Sequence, residues 1–278
     1  MLEVSIMPEI PEMETYKDYL QLSVLGKKIV GTEIVRERST NVPPDEFVRW
    51  VQDTSIEQVL RCGKYLILSL SSGKALCAHM MLDGRIYYEV AGEPVELPGS
   101  SHIQLRFEDD SILHFCDLRL GYLKLLDPSQ VQAIKDGLGP DPLDSGFSFT
   151  AFLKILSAKR GMIKPLLMDQ KNISGIGNAY SNEILFAAGI LPERKVPTLT
   201  DGEKERLYSV IPDLLRQAIE KGGYIEEPFA FWDNLSGGMI PYFKVYDRSG
   251  QPCLQCGDTI RQKIVGGRNA YYCLTCQH

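Results

Sequence analysis

The 278-residue sequence predicts an α+β protein in three stretches: a leading helix with many short strands, a helical segment, and a small cysteine-bound hairpin. Three observations predict it. Strand-like segments crowd the chain as far as residue 126. Gly and Pro concentrate at Gly137-Leu-Gly-Pro-Asp-Pro-Leu143, after which apolar spacing turns helical. Finally, Cys253-Leu-Gln-Cys256 and Cys273-Leu-Thr-Cys276 stand sixteen residues apart at the end of the chain.

Met13, Tyr16, Leu20 and Val24 recur at spacings of three and four and describe one face of a helix over 13–25. Strands are expected at Tyr65–Leu70, Ala75–Met81, Arg85–Val90, Ile103–Phe107, Ile112–Phe115 and Tyr122–Leu126, with Ser72-Gly73 and Asp109-Asp110 among the turns. That density fits an antiparallel sandwich or barrel. The Gly/Pro stretch reads as a linker. Beyond it, Thr200 and Glu203 form a capping box ahead of the stripe Leu207, Ile211, Leu214 and Ala218; Gly222 closes the helix, and Pro212 predicts a kink. In Asn172-Ile-Ser-Gly-Ile-Gly-Asn178, two glycines permit a tight turn and Asn178 can open a helix running through Phe186. Such a turn is either an anion site or an ordinary packing element.

The paired CxxC knuckles let Cys253, Cys256, Cys273 and Cys276 surround one zinc ion. Strands over Ile260–Val265 and Ala270–Tyr272, joined at Gly266-Gly267-Arg268-Asn269, would present Arg268 at a hairpin tip. The alternative, two disulfides, conflicts with the cytosolic setting expected of a chain without a charged leader before an apolar core. No apolar run reaches the roughly 20 residues of a membrane span, so no membrane association is expected. Cys62, Cys77 and Cys116 lie in strand-like segments and read as buried thiols. The net charge of −6 weighs against nucleic acid, but the region from Cys253 holds Arg261, Lys263 and Arg268 against Asp258, a local excess of +2.

Together these segments resemble the formamidopyrimidine-DNA glycosylase and endonuclease VIII family. The resemblance rests on Pro8-Glu-Ile-Pro-Glu-Met-Glu14, Arg61-Cys-Gly-Lys64-Tyr65, His79-Met-Met-Leu-Asp-Gly-Arg85, Asp117-Leu-Arg119, Leu138–Leu143, Asp169-Gln170, Gly175-Ile-Gly-Asn178 and the cysteine tail with Arg268. It implies a β-sandwich domain (1–136) carrying the leading helix, a linker (137–147), a helix–two-turn–helix domain (148–252) and a zinc finger (253–278). Damaged double-stranded DNA would lie between the domains. The protein would act as a monomer in the cytoplasm, at the nucleoid when bound to DNA.

The implied chemistry is removal of oxidised or ring-opened bases, with cleavage of the abasic site by elimination through a Schiff base on an N-terminal proline. Pro8 would be that nucleophile, which requires a free amine, because an amide lone pair is delocalised into the carbonyl. Initiation at Met7 followed by its removal would supply one; Leu2-Glu3-Val4-Ser5 is codable with a ribosome-binding sequence. If the preceding residues persist, the same fold implies a non-catalytic binder of damaged or abasic DNA. By resemblance, Glu9 protonates the opening sugar, Glu12 holds the N-terminus and Lys64 grips the lesion phosphate. His79 is either a phosphate contact or a core histidine. Lys164, Asn178, Tyr246 and Arg268 complete the phosphate set.

Two departures stand out. Leu82 and Arg119 match two of the residues that fill the space left by an everted base, but the third place, commonly Phe, falls on Gly121 with Tyr122 beside it. In members excising 8-oxoguanine, a Thr/Tyr/Asn-rich loop follows Gly222-Gly223. Here it reads Tyr224–Gly238, where Glu226, Glu227 and Asp233 would face a polar base if they enter the pocket. Phe229, Phe231 and Trp232 either stack on a base or pack a core.

Overall fold

The computed structural model describes residues 7–93 and 96–278, so Leu2–Ser5 lie outside the described residues. The chain forms two compact units. One runs to Asp136 and includes Lys221–Gly238; the other comprises Gly137–Glu220 and Met239–His278.

In the first unit, helix α1 (Ile10–Val24) starts earlier than its apolar stripe because Glu12 reaches back to accept the Glu9 backbone N–H at 2.9 Å. Pro11 is tolerated in that first turn, where its missing donor costs nothing. Met13, Tyr16, Leu20 and Val24 are all buried. Two four-stranded antiparallel sheets follow. One orders β1 (Ile29–Ile34), β6 (Ser101–Phe107), β7 (Ile112–Cys116) and β5 (Arg85–Glu89). The other orders β2 (Ile56–Cys62), β3 (Tyr65–Leu70), β4 (Ala75–His79) and β8 (Tyr122–Leu126). Leu66, Leu68 and Leu76 from the second sheet join Ile103, Leu105 and Phe115 from the first in one buried cluster with α1. Two separate sheets around a shared core make a sandwich rather than a barrel. Helices α2 (Pro44–Val51) and α3 (Pro128–Asp136) complete the unit. Burial pushes the Cys77 and Cys116 thiols up to about 12, consistent with inert core residues.

The segment Lys221–Gly238 is not a free loop of the helical region. Phe229 is fully buried in the sandwich core, and its carbonyl accepts the Tyr88 N–H at 2.6 Å. Asp233 accepts bonds from Phe229 N, Leu235 N, Ser236 and the Tyr19 hydroxyl, so its carboxylate organises the segment instead of facing a base. Trp232 packs edge-on against Tyr19, while Phe231 remains exposed. Glu227 pairs with buried Arg85.

The second unit holds α4 (Phe149–Ser157), α5 (Ile163–Met168), α6 (Asn178–Ala187), α7 (Asp201–Glu220) and the hairpin β9 (Arg261–Val265) and β10 (Arg268–Tyr272). Thr200 and Glu203 exchange both capping bonds, and α7 continues through Pro212. The Gly/Pro stretch is packed, not loose: a Cβ on Gly139 would stand 2.5 Å from the Asn172 carbonyl carbon, and Gly139 N donates to Gln170 O. No helix among the described residues is long and apolar enough to cross a membrane.

Candidate active site, nucleic-acid contacts and metal centre

Pro8 immediately precedes α1 and is buried, with Glu9 and Glu12 beside it at 2% and 3% exposure. Glu12 is held from two sides. One oxygen takes the Glu9 N–H and the other accepts the Tyr224 N–H at 2.9 Å. Gly223, at φ +70°, makes this possible, since a Cβ there would stand 2.3 Å from Glu12 Oε1. Lys64 projects from the β2–β3 turn, and its Nζ lies 3.9 Å from Met7 Sδ. Arg61 steadies that turn by donating to Gly63 O at 3.2 Å and pairing with Glu14 of α1. The Tyr224 hydroxyl donates to Met7 O at 3.1 Å. Glu12 thus holds the backbone directly after Pro8, and Lys64 stands beside the Met7 side chain directly before it. Tyr224 was missed, because nothing local announces a partner 217 positions away.

His79 ends β4 between the Tyr65 ring at 4.6 Å and the Tyr122 ring at 5.7 Å. Burial, reinforced by the Lys64 and Lys124 charges, pushes its pKa down to about 4. Nδ1 accepts the Met81 N–H at 3.2 Å, which assigns the ring proton to Nε2. The neutral imidazole therefore fixes the loop through Nδ1 and carries its proton on Nε2. Met81 at φ 52° and Asp83 at φ 65° bracket the half-buried Leu82. In the β7–β8 loop, Arg119 is exposed, and Arg36 holds the backbone by donating to Leu118 O and Arg119 O at 3.0 and 3.2 Å. A Cβ on Gly121 would meet Met80 O at 2.6 Å and His79 O at 2.7 Å, so no side chain fits at the expected third place. Tyr122 does not replace it, being stacked on His79 with Lys124 Nζ 4.0 Å from its ring centre. Leu120, not singled out in the sequence, is 61% exposed in the same loop.

In the second unit, Gln170 braces the glycine turn by accepting from Gly175 N at 2.7 Å and donating to Ile176 O at 2.8 Å. Gly175 takes φ +84°, and Gly177 caps α6, placing Asn178 first in the helix. Lys164 is fully buried; its Nζ donates to Asn178 Oδ1 at 2.7 Å and Ser181 Oγ at 3.0 Å. Lys164, expected among the phosphate contacts, is here enclosed with its Nζ turned to Asn178 and Ser181. Glu183, missed in the sequence, is 2% exposed and accepts the backbone N–H groups of Lys244, Val245 and Tyr246 at 2.7–2.9 Å. Desolvation raises its pKa despite those three donors. The same helix fixes β10 through Asn182, which accepts Tyr271 N–H at 2.9 Å. Arg268 follows the two-residue turn Gly266-Gly267, so β10 begins two residues earlier than expected. A Cβ on Gly266 would lie 2.5 Å from the Pro165 ring, bringing the hairpin tip onto α5.

The four C-terminal sulfurs lie within 4.8 Å of one another, with Cys253–Cys276 at 3.9 Å and Cys256–Cys273 at 3.4 Å. A zinc tetrahedron with Zn–S bonds of about 2.3 Å has edges of roughly 3.8 Å, so the donor set fits one zinc ion. These separations exclude a disulfide bond length. The metal staples the hairpin.

Three family descriptions match in order along the chain: "Formamidopyrimidine-DNA glycosylase N-terminal domain" over residues 7–123, "Formamidopyrimidine-DNA glycosylase H2TH domain" over 138–228, and "Zinc finger found in FPG and IleRS" over 250–278. The chain is 38% identical to the formamidopyrimidine-DNA glycosylase of Pelotomaculum thermopropionicum, covering 98% of this chain and 99% of the relative. It is 34% identical to that of Streptococcus pneumoniae R6, with the same coverage. Among solved structures it is similar to the Lactococcus lactis Fpg in complex with abasic-site DNA, at TM-score 0.88 and 28% identity over 97% of this chain and 99% of that one.

Proposed function

The chain belongs to the formamidopyrimidine-DNA glycosylase family, and from that premise we propose that Pro8, once freed of Met7, carries its chemistry. The protein is a base-excision-repair DNA glycosylase with abasic-site lyase activity, and its partner is damaged double-stranded DNA. The family match begins at residue 7, which supports a functional start at Met7 and Pro8. The observation that carries the reading is the Tyr224 hydroxyl on the Met7 carbonyl, with Lys64 Nζ beside the Met7 side chain and Glu12 bonded to the Glu9 and Tyr224 backbone N–H groups.

The Pro8 lone pair forms a bond to C1′ of the damaged nucleotide, and the bond to the base breaks with its electron pair leaving on the base. The nitrogen sheds its proton, Glu9 supplies one to the ring oxygen as the C1′–O bond opens, and an iminium remains. That cation acidifies the 2′ protons, so the strand breaks by elimination without metal. Glu9 is 2% exposed and follows Pro8 directly, which places a proton-carrying carboxyl next to the reacting nitrogen. Glu12 holds the backbone around the amine, and Lys64 grips the lesion phosphate. Leu82 and Leu120 fill the vacated stack, with Arg119 opposite the orphan base. His79 donates to phosphate from Nε2. Asn178, oriented by Lys164, joins Tyr246 and Arg268 as the remaining backbone contacts. The enzyme works in the cytoplasm at the nucleoid.

Borohydride should trap protein beginning at Pro8 on abasic DNA, and Pro8→Gly should lose most of that trapping; no trapping by the wild type would remove the proposed chemistry. A second reading has one observation in its favour: with Met7 attached, Pro8 N is an amide whose neighbouring carbonyl is held by Tyr224. In that form the chain binds damaged or abasic DNA without cutting it. Tight binding without cleavage by the cellular protein would select this reading.

A further inference from the structure

We propose that Tyr224 is a positioning residue for the Pro8 amine, its hydroxyl accepting the N–H of that nitrogen once Met7 is gone. The inference rests on the reading of Pro8 as nucleophile and deepens it. The Tyr224 hydroxyl stands 3.1 Å from the Met7 carbonyl oxygen, and Pro8 N is bonded to the same carbonyl carbon. The oxygen and nitrogen of one peptide group are about 2.3 Å apart, so the hydroxyl lies within roughly 5.5 Å of Pro8 N. Tyr224 is 6% exposed, and its own backbone N–H is fixed on Glu12, which also holds the Glu9 backbone. One carboxylate thus ties the Tyr224 backbone to the Glu9 backbone, the residue directly after the proline.

Removing Met7 takes away the acceptor that the hydroxyl now uses. The phenol oxygen then meets the new amine, directly or through one water in the place of the lost carbonyl oxygen. A secondary amine has one N–H and one lone pair. Holding the N–H on the tyrosine fixes the direction of the lone pair, which is the part that must reach C1′. The charged form, with two N–H groups, gains an acceptor in the same way. Other ionisable groups around this nitrogen are Glu9 at the cap of α1, Glu12 in its first turn and Lys64 on the β2–β3 turn.

The test compares wild type and Tyr224→Phe, both beginning at Pro8, by single-turnover borohydride trapping on abasic DNA across pH. Binding to duplex carrying a tetrahydrofuran abasic analogue is measured alongside. Losing one oriented hydrogen bond predicts trapping about tenfold slower, with the pH midpoint moved to lower pH, because the ammonium loses an acceptor. Analogue binding should stay within about twofold, which separates positioning from misfolding. Equal rates and midpoints, or a fall in trapping matched by an equal fall in binding, would overturn the role of Tyr224 and leave Pro8 standing. Failure of the wild type itself to trap would overturn the Pro8 reading and this inference with it.

Discussion

His79 sits between two tyrosine rings with Nδ1 occupied by the Met81 amide, a setting in which a charged imidazole is poorly solvated. The unfolded chain takes up the imidazole proton near pH 6.5, the folded one only near about 4. Between those values the unfolded state holds more protons, so acidification costs stability, up to roughly 3 kcal/mol across the window. His79→Gln should flatten the decline in melting temperature between pH 7 and 5 relative to wild type. An unchanged slope would show that another group carries the acid sensitivity. At this scale the sequence was legible wherever a motif is contiguous, as in Pro8–Glu14. It was silent on Tyr224 and Arg36, whose partners lie far along the chain. It was silent too on why glycine stands at 121, where a Cβ would strike the His79 and Met80 carbonyls of a distant strand end.

Helix α6 is the element on which the second unit's contacts depend. It begins at the glycine turn, presents Asn178 to Lys164, fixes β10 through Asn182 and gathers the 244–246 amides on Glu183. Removing that carboxylate strands three backbone donors, each costing about 1 kcal/mol or more when buried. Glu183→Ala should therefore destabilise the protein by about 3 kcal/mol in denaturant titrations and weaken abasic-DNA binding by displacing Tyr246. A loss below about 1 kcal/mol would contradict the bracing role. The strands β3 and β8 were read to the residue, because alternating apolar runs end at clear turns. In contrast, β1 and β2 escaped: each is buried on isolated positions and carries polar residues between them. Helix α5, at six residues, is too short for two turns of periodicity to register, and α4, at nine, barely exceeds two.

For the whole molecule, a net charge of −6 and a DNA substrate are reconciled by placing cations locally, with Arg268 exposed at the zinc-stapled hairpin. Each neutralised phosphate adds about −0.9 to the slope of log affinity against log salt. Arg268→Ala should weaken binding to all duplexes alike and make that slope shallower by about one; an unchanged slope would remove Arg268 from the backbone contacts. The two-sheet and helical architecture was visible in the order of the sequence signals. What they could not reveal is that Lys221–Gly238 folds into the first unit, since that depends on Phe229 filling a core built from distant strands. The account as a whole turns on which atom becomes attached to DNA. Borohydride-trapped complex, digested and sequenced by mass spectrometry, should carry the sugar remnant on the N-terminal nitrogen of Pro8; a remnant on Lys64 or any other lysine would contradict it.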